Sequence, residues 1–139
     1  MIGSPTVLRR VQSAPNAAVD TGSIHLRGAT HVLVLVGYAP VLSAGHIITI
    51  SDPDTGDSLA LLNLLNDGNE MAIAAVLGPG LPELVAAGLV PAQGSRVPDS
   101  GTPSFNGYPH RLPQSIRVQS SGGAGAGVVT TVVVVAVID

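Results

Sequence analysis

The chain contains no cysteine and no lysine, only three aromatic residues and very little charge of either sign. Each absence removes a class of protein. Without Cys there is no disulfide framework, no thiolate nucleophile and no Cys-ligated zinc. All six basic residues are Arg, against nine acidic ones, for a net charge of −3. Phosphate-backbone binding needs clustered Lys and Arg, so nucleic acid is not an expected partner. Tyr38, Phe105 and Tyr108 are the only aromatics. They are too few for a base-stacking or sugar-stacking platform. No 18-residue apolar run exists, so no membrane-spanning helix is expected. Arg9 and Arg10 are not followed by an apolar run of signal-peptide length, so no targeting segment is expected either.

What remains is 139 residues, 45% hydrophobic and 11% charged, the latter against about 25% in ordinary domains. The length fits one domain, residues 1–139, with a core that needs no staples. A free monomer stays soluble partly through a mixed, charged surface. This chain has little of that, so much of its surface is expected to be covered by copies of itself or by a partner.

Strand signals recur between Gly, Pro and Asp punctuation. They are "TVLRRVQ" (6–12), "SIHLRG" (23–28), "THVLVLVGY" (30–38), "GHIITIS" (45–51), "QSIRVQS" (114–120) and "VVTTVVVVAVID" (128–139). The second and third could form one long strand with a bulge at Gly28. "SLALLNLLN" (58–66) and "EMAIAAVL" (70–77) suit helix by composition and strand by placement. "LPELVAAGLV" (81–90) is the best helix candidate. Residues 91–113 carry five prolines and read as a long loop or contact arm, with no helix or central strand. The last two strands, joined by "SGGAGAG", read as a C-terminal hairpin with a flexible Gly-rich tip. The expected fold is mainly β: an antiparallel β-sandwich or jelly-roll-like barrel with at most one short helix.

Nine of the last twelve residues are apolar, and they occupy both faces of the closing strand. Val128, Thr130, Val132, Val134, Ala136 and Ile138 share one side; Val129, Thr131, Val133, Val135 and Val137 share the other. A half-buried antiparallel strand is polar on one side. Here one face can fill the core and the other needs a second cover. That cover is either a packed subunit or the chain's own helix or loop. Val129, Val133, Val135 and Val137 are therefore the expected self-association residues. Arg96, Phe105, Tyr108 and Arg111, on the Pro-rich loop, are the expected partner contacts, since aromatic and Arg side chains dominate binding hot spots.

Signs of chemistry are sparse. Asp52, Asp54 and Asp57 in "SDPDTGDS" offer oxygen ligands, but the Gly and the closing Glu of an EF-hand loop are misplaced. A turn explains the same residues. His25, His31, His46 and His110 are scattered, with no HxH or HExxH spacing. There is no GxSxG elbow, and "SGGAGAG" precedes a strand rather than the helix a phosphate cradle needs. No catalytic residue, cofactor or metal is expected.

Three stretches, "TGSIHLRGATHVLVLVG", "HIITISDPDTGDSLAL" and "YPHRLPQSIRVQSSGGAGAGVVTTVVVVAVID", carry a family resemblance. A strand leads into "LRG", a second ends in Asp and a small-residue turn, and "LPxSIRV" opens the final pair. In this the chain resembles small virion proteins of tailed bacteriophages, of the capsid decoration (cement) type, over residues 21–66 and 108–139. The resemblance implies a homo-oligomer, trimer or dimer, bound to the major capsid protein on the outer surface of the virion. It implies a structural protein that stabilises the shell and is no enzyme. Two alternatives stand beside it: a tail, neck or head-to-tail connector subunit, and a ligand-binding β-module for carbohydrate or Ca²⁺.

Overall fold

The computed structural model describes residues 4–39, 46–64, 72–77, 104–106 and 112–138. These residues form nine strands and no helix. In chain order the strands are β1 (Ser4–Gln12), β2 (Ile24–His25), β3 (His31–Ala39), β4 (His46–Ser51), β5 (Ser58–Leu64), β6 (Ala72–Leu77), β7 (Ser104–Asn106), β8 (Ser115–Ser120) and β9 (Val129–Ile138). They make two sheets. The first has five strands in the order β1-β9-β3-β6-β7; the second has four in the order β2-β8-β4-β5. Every pairing is antiparallel except β6 with β7, which is parallel. The described strands close no barrel, so the fold is a β-sandwich.

Alternation explains the second sheet. On β8, Ile116 and Val118 are fully buried while Arg117 and Gln119 face outward; on β4, Ile48 and Ile50 are buried and Ile47 is exposed. This is the one-sided pattern of an antiparallel sheet with one face in water. Ile24, Ile48, Ile50, Leu59, Ile116 and Val118 from this sheet meet Val32, Val34, Val36, Tyr38, Val132 and Val134 from the first. Each such side chain contributes roughly 1.5–3 kcal/mol by leaving water. β-branched residues suit the pleated, crowded interior of a sandwich.

Three sequence expectations are corrected by the structure. Gly28 is no bulge in a long strand, because β2 and β3 belong to different sheets. Leu26 and Ala29 close a tight turn, with Ala29 N–H donating to the Leu26 carbonyl at 3.0 Å. Arg27 and Gly28 both take positive φ there (55° and 72°), as a type I′ turn requires. Second, β8 and β9 are no hairpin. β8 pairs with β2 and β4, β9 with β1 and β3, so 121–128 is a crossover between sheets. Third, that crossover is not a loose tip. Ala124 is fully buried, and Asn16 N–H donates to the Val128 carbonyl at 2.8 Å. The described residues of the Pro-rich stretch, apart from Leu112 and Pro113, are a three-residue strand, β7, at a sheet edge. The two ambiguous segments are strands, β5 and β6. The helix candidate at 81–90 lies outside the described residues.

Among the described residues one buried side-chain atom is left over. Thr130 is fully buried on the core face of β9, and its Oγ1 has no hydrogen-bond partner. Its backbone is well held: Ser13 N–H donates to the Thr130 carbonyl at 2.8 Å, and Thr130 N–H donates to Ser13 Oγ at 3.0 Å. A buried hydroxyl without a partner costs about 1–3 kcal/mol of desolvation. Thr130→Val keeps the shape and the β-branch and removes the orphan. It is expected to raise stability by about 1 kcal/mol, read as a higher urea midpoint at unchanged m-value.

Candidate functional site

The first sheet differs from the second in carrying a row of apolar residues on its outer face as well, beside the polar Arg10, Gln12 and Thr131. Register puts its outer residues in rows across the strands. Val7 of β1 lies opposite Val135 of β9, which lies opposite Leu33 of β3; Arg10, Val133 and Leu35 make the next row; Gln12, Thr131 and Gly37 the one after. Directly opposed residues share a face and touch. None of these side chains belongs to the core cluster between the sheets. The rows continue by backbone pairing: Leu33 is opposite Val76 of β6, and Val76 opposite Phe105 of β7.

Burial along this face is uneven. Val137 is fully buried and Leu33 nearly so (5%), already covered by their own chain. Val129, Val133, Val135 and Leu35 are half-buried. Val7 is 62% exposed, the most exposed large hydrophobic residue among those described. Of the four valines named from the sequence, three therefore keep accessible surface and Val137 has none to offer. Val7 was missed because β1 carries a bulge. Its register against β9 shifts between Val7 and Arg9. Leu8 and Val11 both pack toward the core, although three residues apart in an unbroken strand they would face opposite ways.

Of the four partner contacts expected from the sequence, one lies among the described residues. Arg96, Tyr108 and Arg111 lie outside the described residues. Phe105 is placed by its backbone alone, opposite Val76 at the sheet edge.

The polar clusters are occupied by the fold itself. In the 52–57 turn, Asp52 Oδ1 accepts from Asp54 N–H at 2.9 Å, and Gly56 N–H donates to the Asp52 carbonyl at 2.8 Å. Asp52 is buried at 8% while Asp54 and Asp57 are exposed. Among the described residues no three His, Asp or Glu side chains are grouped to hold a metal ion. His25 and His31 stand on different sheets. Asp20 forms a forked ion pair with Arg117, at 3.0 Å from Nε and 2.5 Å from Nη2. That guanidinium, with the Gly22 N–H, holds the Asp20 carboxyl down at about 2. Both side chains are about two-fifths exposed, so water screens the pair and it stabilises little. A shallow groove of about 510 Å³ is lined by His25, Leu26, Gly28, Ala29, Leu112 and Gln114, among others. His25 Nδ1 there accepts from Arg27 N–H at 3.1 Å, which is turn chemistry rather than ligand chemistry.

Compared with known proteins, the chain matches no family model, no curated protein and no solved structure.

Among the described residues, which group no metal ligands, the feature with most to offer a partner is the outer face of the first sheet. It can bury apolar surface against another protein. Its row of valines is stiff at χ1, so little side-chain entropy is lost on contact.

Proposed function

We propose that the chain is a structural subunit of an assembly, with the outer face of its five-stranded sheet covered by a second copy of itself. Within that class the reading is a decoration protein on the outer surface of a tailed-phage capsid. The observation that carries the subunit reading is the row Val7–Val135–Leu33, apolar across three strands and open at Val7. The capsid assignment rests on the strand-and-turn resemblance of residues 21–66 and 108–139, and on a composition poor in charge.

The mechanism needs no catalytic group. A protein that binds only the assembled shell stabilises it by mass action, about 2.7 kcal/mol per site at a hundredfold excess over Kd. Self-association multiplies contacts on the shell, so the second binding event becomes intramolecular.

Sedimentation velocity at micromolar concentration tests the subunit reading. A dimer or trimer is expected; a ring of six or twelve points to a neck or tail position, and a compact monomer overturns the reading. Val7→Asp is the matching variant. Val7 is on an edge strand and exposed in the single chain, so the fold is expected to survive. A carboxylate placed in an apolar contact carries a desolvation penalty of several kcal/mol. Self-association is expected to weaken at least tenfold, with an unchanged far-UV spectrum. Co-sedimentation with assembled phage heads, and a rise in their disruption temperature, tests the capsid assignment separately.

A further inference from the structure

His46 is buried at 1% exposure, and both of its ring nitrogens are engaged. Nε2 is 2.8 Å from the Gly122 carbonyl, and Nδ1 is 2.7 Å from the Tyr38 hydroxyl. A carbonyl only accepts, so Nε2 carries the proton of the neutral ring. Nδ1 then accepts, and the Tyr38 hydroxyl donates to it. One imidazole thus joins β3 of the first sheet, β4 of the second and the crossover that links them. The crossover is also tied by Ser121 N–H to the Ile47 carbonyl (3.0 Å), Asn16 N–H to the Val128 carbonyl (2.8 Å), Gly125 N–H to Asn16 Oδ1 (3.2 Å), Ser120 Oγ to the same Gly122 carbonyl (3.1 Å) and, within itself, Val128 N–H to the Gly125 carbonyl (3.0 Å).

A second proton breaks this arrangement. Nδ1–H would face a hydroxyl that is itself donating, so the phenol must turn. A positive charge would also enter an apolar core. The groups that could balance it are few. Tyr38 is the only titratable side chain touching the ring among the described residues. The crossover, the 13–18 loop, β5 and residues 40–45 before the strand contain no titratable side chain in their sequence. On β4 and just beyond it, Asp52 is the nearest acid, six residues or roughly 20 Å along the strand. Burial accordingly pushes the ring below its usual range, and the Gly122 carbonyl pulls it back only in part.

We propose that His46 is an acid-sensitive latch, whose protonation frees the 121–128 crossover from the core while the two sheets keep their pairing. The sign follows from linkage. The neutral ring is the one the fold accepts, so the latch is closed above the ordinary His range near pH 6.5. Opening grows as pH falls below it, by up to about tenfold per unit.

Amide hydrogen exchange of the full chain between pH 7.5 and 5 reads this directly. After correction for intrinsic chemistry, the Ser121, Gly125 and Val128 amides are expected to exchange at least tenfold faster at pH 5. The ladder amides of β3 and β9 are expected to stay protected. His46→Gln, which keeps a donor for Gly122 and cannot titrate, is expected to flatten the profile. A pH-independent crossover, ladder amides that accelerate in step with it, or an unchanged profile in His46→Gln overturns the latch. Should that variant fail to fold, the wild-type ring decides: its titration, followed by NMR, must coincide with the acceleration, and a mismatch overturns the proposal.

Discussion

Gly123→Ala is expected to cost roughly 3 kcal/mol or more and to lower the melting temperature by roughly 10 °C. A Cβ at this position would overlap the carbonyl oxygen and the side-chain oxygen of Asn16 and stand 2.5 Å from its carbonyl carbon. The side chain could rotate aside; the backbone could not. Asn16 is held by its N–H on the Val128 carbonyl (2.8 Å) and by the neighbouring Ala17-to-Ala14 turn bond (3.1 Å). It also sits at φ 53°, in the left-handed region where Asn is tolerated. To admit the methyl group, the 13–18 loop must detach from the crossover. That sacrifices two or three hydrogen bonds at about 0.5–1.5 kcal/mol each and uncovers Ala124 and Val128. Gly122→Ala is the control. Nothing lies within 4 Å of a Cβ there, so its effect should stay within about 0.5 kcal/mol. Thermal melts of the two variants side by side check the contrast. Equal melting temperatures would mean that the loop and the crossover do not touch.

That contrast also marks what could be read from the sequence. Strand identity was legible wherever a single period ruled. Ile116 and Val118 against Arg117 and Gln119 give β8 its faces, and the two-sided valines of β9 announce a central strand. What periodicity cannot carry is which sheet a strand joins. "SIHLRG" and "THVLVLVGY" are separated by the single residue Ala29 yet belong to different sheets, because the two positive-φ residues 27 and 28 turn the chain out of one sheet and into the other. "SGGAGAG" has the composition of a flexible linker. It is ordered because Asn16, over 100 residues away, packs where only a hydrogen fits. Such long-range steric fits leave no local signature. The outer-face valines were visible as an excess of apolar residues, whereas Val7 was hidden by the one-residue bulge that shifts the parity of β1.

Tyr38→Ala is expected to have the largest effect of any single truncation in the core, on the order of 5 kcal/mol. Tyr38 is the largest fully buried side chain described, at 1% exposure on the core face of β3. It spans the sandwich to meet His46 edge-on, with ring centroids 5.4 Å apart and planes at 71°. Removing a buried aromatic ring costs about 3–5 kcal/mol through lost transfer energy and the cavity left behind. The hydroxyl adds a second loss, because His46 Nδ1 is then buried without a donor, at about 1–3 kcal/mol. Domains hold only about 5–15 kcal/mol in total, so this variant is expected near the edge of folding. Tyr38→Phe separates the two parts. It keeps the ring and removes only the hydroxyl, so its urea midpoint should fall by an amount equivalent to about 1–2 kcal/mol. If the phenylalanine variant instead matches the wild type, Nδ1 does not depend on the phenol, and the tautomer assigned to the buried imidazole is wrong. If the alanine variant loses no more than the phenylalanine one, the ring does not bridge the sheets, and the core between β3 and β4 is held by its isoleucines and valines alone.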